Sequence, residues 1–277
     1  MKDNKKLYAV IGTPLGHTYS PRLHNYWIKK KRINAKYKKF DIKKNRLKKI
    51  IKQIKKKEIY GLNVTIPHKV SVINFLDKIE GNARITRSVN TILYKKGKII
   101  GENTDVHGVE NGFIKKIHNI KNKSVYILGA GGVVPSIILA LKKHKVKKIV
   151  LCNRTGKKIK KIKQLFKQNF HSYTWKNRNK FISKADVIFN ATSLGMKNKP
   201  NLHIDTNLIR KKSIYCEVIY NPLETKTIKK LKKLKIKTLS GLNMFINQAQ
   251  QSFYLWHKQM PKLSSSEKIK IFKNLYD

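Results

Sequence analysis

Val125-Tyr-Ile-Leu-Gly129-Ala130-Gly131-Gly132-Val133 is an apolar run closed by a cluster of glycines. The run reads as a buried strand and residues 134–143 as a helix, and the glycines between them let backbone N–H groups approach a pyrophosphate at the helix N-terminus. Such clusters also make ordinary tight turns, so the neighbouring sequence has to decide. A second strand, Lys148-Ile-Val-Leu-Cys152, follows and ends on Asn153-Arg154-Thr155. An NAD site carries Asp or Glu there for the ribose 2′-hydroxyl, whereas an arginine favours a 2′-phosphate and hence NADP(H). Strand, glycine turn, helix, strand and arginine stand in the order that a βαβ unit requires. Val134 occupies the third small-residue place of the G-x-G-x-x-G/A pattern, which predicts looser packing of helix on strand.

Outward from this unit, strand and helix signals alternate, the grammar of an α/β protein with a mainly parallel sheet. Upstream, strands are predicted at Leu7–Ile11, Tyr37–Phe40 and Leu62–Ile66, with helices over 21–32, 43–56 and 68–79. A hairpin of Val89–Tyr94 and Lys98–Ile100 turns at Lys95-Lys96-Gly97. A helix over 106–118 leads into strands at 124–128, 147–152, 171–173, 186–190, 213–218 and 236–238. The stretch from Leu242 to Trp256 has helical apolar spacing with no strand after it, and is expected to return over the first domain. Two domains result: a substrate-binding α/β domain over 1–105, completed by C-terminal helices over 241–277, and a Rossmann NADP-binding domain over 106–240. The active site is expected in the cleft between them.

A chain of 277 residues with 40% hydrophobic content can bury two ordinary cores. No apolar run approaches a membrane span, and the first ten residues hold too short an apolar stretch for a signal peptide, so a cytoplasmic protein without a membrane partner is expected. Cys152 and Cys216 fall in predicted strands and are too few for a disulfide framework or a zinc site, so no metal is implied. The 64 Lys and Arg against 14 Asp and Glu give a formal charge of +50, a field that attracts anions at low salt. The lysines are dispersed over 29–57, 142–148, 157–167 and 226–237, mostly on polar helix faces, and no aromatic-interleaved basic strand accompanies them. No specific nucleic-acid partner is therefore expected, although a nucleic-acid-binding protein on a degenerate Rossmann scaffold is the distant alternative.

Nicotinamide chemistry needs a group that gives or takes a proton as hydride moves. Asn63-Val-Thr65-Ile-Pro67-His68-Lys69 sets polar side chains at a strand end, and Asn103-Thr-Asp105 lies just beyond the hairpin. A lysine beside a carboxylate can serve as proton donor. By spacing alone, a lysine and an aspartate this far apart are usually unrelated surface residues.

Taken together, Gly12-Thr-Pro-Leu-Gly-His17-Thr18-Tyr-Ser20-Pro21, Gly61-Leu-Asn-Val-Thr-Ile-Pro-His-Lys69, Val89-Asn90-Thr91, Asn103-Thr-Asp105, Gly129-Ala-Gly-Gly132, Asn153-Arg-Thr155, Asn190-Ala-Thr192 and Gly241-Leu-Asn-Met with Gln248 resemble shikimate dehydrogenase over nearly the whole chain. The resemblance implies reversible NADPH-dependent reduction of 3-dehydroshikimate to shikimate, on the route to aromatic amino acids. It implies that Thr18 and Ser20 bind the substrate carboxylate, with Thr18 in place of the usual serine. Thr65, Asn90, Asp105, Tyr220 and Gln248 would hold ring hydroxyls, and Lys69 with Asp105 would form the catalytic pair. The cofactor would lie on Gly129, Ala130, Gly131, Gly132, Val133, Asn153, Arg154, Thr155 and Lys158, with Val218 and Gly241. His17 and His68 are read as packing or loop-orienting residues, and a homodimer is the assembly considered.

Three departures from the family pattern bear on this. Thr86-Arg87-Ser88 replaces the usual small-residue entry to Val-Asn-Thr, and Glu80-Gly81 stands where a cofactor-proximal acid is common, which leaves the loop 80–88 undefined. Lys158 is a point charge where a second arginine could clamp the 2′-phosphate. Thr18 alters the carboxylate pocket, so a quinate/shikimate dehydrogenase of broader substrate use is the near alternative.

Overall fold

The computed structural model describes residues 5–16 and 18–275, and its chain divides into two compact units. The first comprises the residues through Thr104 together with those from Gln248 on; the second runs from Asp105 to Asn247. Among the described residues no helix is long and apolar enough to cross a membrane.

The first unit carries β1 (Lys6–Gly12), α1 (Ser20–Lys30), β2 (Ala35–Asp41), α2 (Leu47–Lys55), β3 (Gly61–Val64), β4 (Lys78–Ile79), α3 (Gly81–Thr86), β5 (Thr91–Lys95) and β6 (Lys98–Glu102). The sheet order is β2-β1-β3-β5-β6-β4, parallel through β2, β1 and β3 and antiparallel through the hairpin β5–β6. Lys96 and Gly97 both have positive φ, the two left-handed positions of a tight hairpin turn. The expected helix over 68–79 is not formed: Ser71–Phe75 make a 3₁₀ turn and Lys78–Ile79 a short strand. Asp77 is the cause, because its N–H donates to the Ile99 carbonyl (3.0 Å) and its carboxylate accepts the Ile99 N–H (2.7 Å), drawing the segment onto β6. The loop 80–88 is also resolved into structure, with α3 opening at Gly81 in a left-handed conformation beside the Glu102 carboxylate.

The second unit carries α4 (Asp105–Gly112), β7 (Ser124–Leu128), α5 (Val134–Lys143), β8 (Lys148–Asn153), α6 (Gly156–Phe166), β9 (His171–Thr174), β10 (Val187–Asn190), β11 (Ile214–Glu217), α7 (Lys226–Lys233) and β12 (Lys237–Leu239). All neighbours pair in parallel in the order β12-β11-β10-β7-β8-β9, the doubly wound arrangement with its switch point between β7 and β10. The period of two along a strand shows on β7. Val125 and Ile127 join the cluster built on Ile137, Ile138 and Leu141 of α5, while Tyr126 and Leu128 join the opposite cluster with Phe181, Tyr215 and Leu231. Both faces are covered, as a parallel sheet requires. Val134 is fully buried in the first of these clusters. The helix expected over 106–118 stops at Gly112, and Ile114–Lys116 continue as a 3₁₀ turn. A Cβ on Gly112 would stand 2.5 Å from the Met244 backbone nitrogen, so only glycine allows that approach.

The chain closes with α8 (Leu242–His257) and α9 (Ser265–Phe272). The part of α8 from Gln248 on packs within the first unit, where Trp256 donates to the Ile92 carbonyl (3.0 Å); its residues through Asn247 group with the second unit, not with the first as the boundary at 241 anticipates. An aromatic box in the first unit holds two histidines. His24 stacks on Tyr37 at 4.3 Å, and His257 lies 4.3 Å from Phe253. Burial holds both imidazoles neutral, His24 down to about 3 and His257 to about 4. These depressed values mean that the unfolded chain takes up more protons below its ordinary histidine value of about 6.5, so stability falls as pH drops from there toward the folded values. Urea unfolding should therefore give a lower midpoint at about pH 5 than at about pH 7.5, and a His24→Gln variant should lose part of that slope. An unchanged slope would show that His24 does not carry it.

Candidate functional site

In the second unit, the sheet register sets Cys152, Leu128, Asn190 and Glu217 in one row at the carboxyl ends of adjacent strands. Gly129 leaves this row at φ +112°, with its N–H on the Cys152 carbonyl (2.7 Å). A Cβ there would sit 2.9 Å from the Ala191 carbonyl oxygen, so a side chain is excluded both by conformation and by the backbone beside it. Gly131 is exposed, Ala130, Gly132 and Val133 are half-buried, and α5 begins at Val134 with no side-chain cap from Val133. An uncapped helix start behind a glycine turn is suited to an anion. Asn153 ends β8 and donates to the Thr155 carbonyl (3.0 Å), while Arg154, Thr155 and Lys158 are exposed around the start of α6. The segment 153–158 itself contains no Asp or Glu. Val218 follows β11, and Gly241 packs so tightly that a Cβ would overlap the Val218 carbonyl; the Gly241 N–H donates to the Ile219 carbonyl (2.9 Å). Tyr220 stacks on Phe245 at 4.4 Å, and Asp105 is buried as the first residue of α4.

In the first unit, the ends of β3 and β5 gather polar groups. The Val64 N–H donates to the Asn90 carbonyl (2.8 Å), and the Val89 N–H to the Lys69 carbonyl (2.8 Å), which ties the segments carrying Thr65, Lys69 and Asn90 together. Asn90 is buried; its amide donates to Thr104 Oγ1 (2.9 Å) and to Gln248 Oε1 (3.2 Å), and its oxygen accepts the Thr104 N–H (2.8 Å). Thr65 and Lys69 are half-buried. Thr18 Oγ1 donates to Ser20 Oγ (3.2 Å) and accepts the Ser20 N–H (3.3 Å), so a hydroxyl pair opens α1. His68 is buried with Nε2 on the Ile42 carbonyl (2.7 Å), consistent with a loop-orienting ring; His17 lies outside the described residues.

The sequence reading missed what supports this cluster. Asn63 Nδ2 donates to the Asn90 carbonyl (3.1 Å) and Ser252 Oγ (3.0 Å), Tyr37 donates to Asn63 Oδ1 (2.7 Å), and Thr91 shares a bond with Ser252 (2.7 Å). The available signal was a lone asparagine inside the apolar strand Leu62-Asn63-Val64, since a buried amide must find partners.

Two family models match, the shikimate dehydrogenase substrate binding domain over residues 10–92 and shikimate / quinate 5-dehydrogenase over residues 113–213. The shikimate dehydrogenase (NADP(+)) of Pelagibacter ubique is 45% identical over 261 residues, covering 94% of this chain and 97% of that protein. The chain belongs to the shikimate dehydrogenase family. Solved family structures have the same fold: the shikimate dehydrogenase of Aquifex aeolicus matches with a TM-score of 0.88 at 33% identity, covering 100% of both chains. A shikimate dehydrogenase in complex with NADP+ matches with 0.86 at 32% identity, covering 98% of this chain and 94% of that one. Asp105, Val218, Tyr220, Gly241 and Gln248 lie outside the spans of both family models, so for these positions the shikimate dehydrogenase likeness rests on the whole-chain relatives.

Proposed function

We infer that the chain catalyses the reversible NADPH-dependent reduction of 3-dehydroshikimate to shikimate, as a cytoplasmic oxidoreductase acting on a CH–OH group. The observation that carries this reading is the clustering of Thr65, Lys69, Asn90 and Gln248 in the first unit of a chain that also has an uncapped glycine turn and Arg154 in its second. A polyhydroxylated ring presents several donors and acceptors, and a site that pairs each of them rejects analogues lacking one.

The second unit fits NADP(H): the space beside Gly129 would be filled by any Cβ, the start of α5 lacks a side-chain cap, and Arg154 and Lys158 stand in a strand-end segment, 153–158, that contains no Asp or Glu. Residues 129–133 would hold the pyrophosphate, Asn153, Arg154, Thr155 and Lys158 the 2′-phosphate, and Val218 with Gly241 the nicotinamide end. When bound, this cofactor supplies or accepts the hydride at the substrate carbon. Lys69 gives a proton to the C3 oxygen in the reductive direction and takes it back in the other, and Asp105 orients the lysine. Thr18 and Ser20 bind the carboxylate, while Thr65, Asn90, Tyr220 and Gln248 hold ring hydroxyls. Its partner is the small-molecule substrate, and sedimentation tests the homodimer.

The deciding assay follows NADPH formation with shikimate, then quinate, then no substrate. Turnover of shikimate alone supports the reading, comparable turnover of quinate moves the enzyme to the broader class, and no turnover of either overturns it. Arg154→Ala should cost about 1.5–3 kcal/mol in NADPH binding, the range of a charge-assisted hydrogen bond, and leave NADH binding almost unchanged. Equal loss toward both cofactors would remove Arg154 from the 2′-phosphate site.

A further inference from the structure

Glu217 ends β11 in the row of residues that borders the glycine turn, and it has no exposed surface. Its two oxygens differ. Oε2 accepts from Tyr215 OH (3.2 Å), Thr225 Oγ1 (3.2 Å) and Asn190 Nδ2 (3.4 Å), whereas Oε1 is buried without a partner among the described residues. The bond to Asn190 orients that amide. Asn190 Nδ2 also donates to the Leu194 carbonyl (3.1 Å), and Oδ1 accepts the Thr192 N–H (3.1 Å) and Thr192 Oγ1 (2.7 Å), so the amide shapes the loop 190–195. Ala191 of this loop is the residue whose carbonyl abuts Gly129. On the other side, the Val218 N–H donates to the Asn190 carbonyl (3.1 Å), and Thr225 Oγ1 caps α7 by accepting the Ile228 N–H (3.2 Å).

Resting on the reading that this glycine turn holds a dinucleotide, we propose that Glu217 is a positioning residue for cofactor binding: in its neutral form it locks the Asn190 amide, and through it the wall behind Gly129 and the segment that carries Val218. In the neutral carboxyl the proton sits on Oε1 and leaves one unpartnered O–H, a smaller cost than a full charge with which no cation among the described residues makes a hydrogen bond or ion pair. The titratable group facing it is the Tyr215 phenol on its own strand. The Asn190 amide faces it from β10 and the Thr225 hydroxyl from the cap of α7, while the Lys237 ammonium on β12 donates to the Lys116 carbonyl (3.3 Å). Burial accordingly pushes the Glu217 carboxyl up to about 7, against the three hydrogen bonds that favour its ionised form. Rising pH thus charges the group where it is buried, and although its three donors bind a carboxylate more tightly, the larger cost of burying that charge favours opening of the network to water. Asn190 then has nothing on β11 to distinguish its nitrogen from its oxygen.

The test is the NADPH dissociation constant of the full chain between about pH 6 and about pH 8.5 at constant ionic strength, for wild type, Glu217→Gln and Tyr215→Phe. The glutamine keeps an oxygen for the same three donors and cannot ionise. Across this range the wild-type constant should rise about tenfold relative to that of Glu217→Gln, a ratio in which titration of the 2′-phosphate cancels. Tyr215→Phe deletes one donor to the ionised form, so the rise should move to higher pH, and this variant carries the test alone if the glutamine variant does not fold. A purely structural role would weaken binding equally at every pH. A Glu217→Gln profile parallel to wild type, or a Tyr215→Phe midpoint that does not move, would overturn the proposal while leaving the cofactor reading intact. Wild type that binds no NADPH at any pH would overturn both.

Discussion

Lys69→Ala should lower kcat by about two to four orders of magnitude with a much smaller change in shikimate KM, the range of a positioned acid–base group. The segment that places this lysine is tied at two points, by the Lys69 carbonyl on the Val89 N–H and by the His68 N–H on the Thr65 carbonyl (2.8 Å each). Truncating the side chain leaves those backbone bonds in place, so substrate binding through Asn90 and Gln248 should survive. Asp105→Asn should also lower kcat. If the two residues share one role, the double variant loses little more than Lys69→Ala alone, a departure from additivity that a cycle of single and double variants measures. Near-wild-type turnover by folded Lys69→Ala that still binds NADPH would remove the lysine from the mechanism. His68 would be the next group to test, although its Nε2 is already committed to the Ile42 carbonyl.

Gly129→Ala should strongly damage the glycine turn of the second unit. The residue sits at φ +112°, where an L side chain carries strain of about 1–3 kcal/mol, and its new Cβ would press on a backbone oxygen that cannot rotate away. The wall supplied by Ala191 must move, and with it the floor of the turn. NADPH affinity should fall by about a hundredfold or more, and thermal unfolding should come several degrees lower, at roughly 2–4 °C per kcal/mol for a domain of this size. Shikimate binding, a property of first-unit residues in the proposed reading, should change little. NADPH affinity within threefold of wild type would show that the turn does not approach the cofactor.

Much of this architecture was readable because its residues obey strong local rules. β7 and α5 fall where the apolar run, the glycines and the helical spacing put them, and the hairpin turn follows from Lys96-Gly97. The segment 68–79 was not readable, because its apolar spacing suits a helix and the decision lies with Asp77 and Ile99, far apart in sequence but bonded in space. The site divides in the same way. Asn153-Arg154 is legible as a strand-end pair, whereas Ser252 and the hydroxyls of Thr91 and Thr104 give no sign of sharing one buried network with Asn63 until folding brings them together. Glu217 was overlooked because a carboxylate in a strand looks like an edge residue until its complete burial is seen.

The first unit is interrupted, since the residues that complete it from Gln248 on follow the whole of the second unit in the chain. Ser252, Gln248 and Trp256 supply partners to Asn63, Asn90 and Ile92. During synthesis at about 5–20 residues per second, those partners leave the ribosome on the order of ten seconds after the early strands. The portion translated first is thus the portion finished last, and its unsatisfied amides must wait in water, or on a chaperone, while the continuous nucleotide-binding portion folds ahead of it.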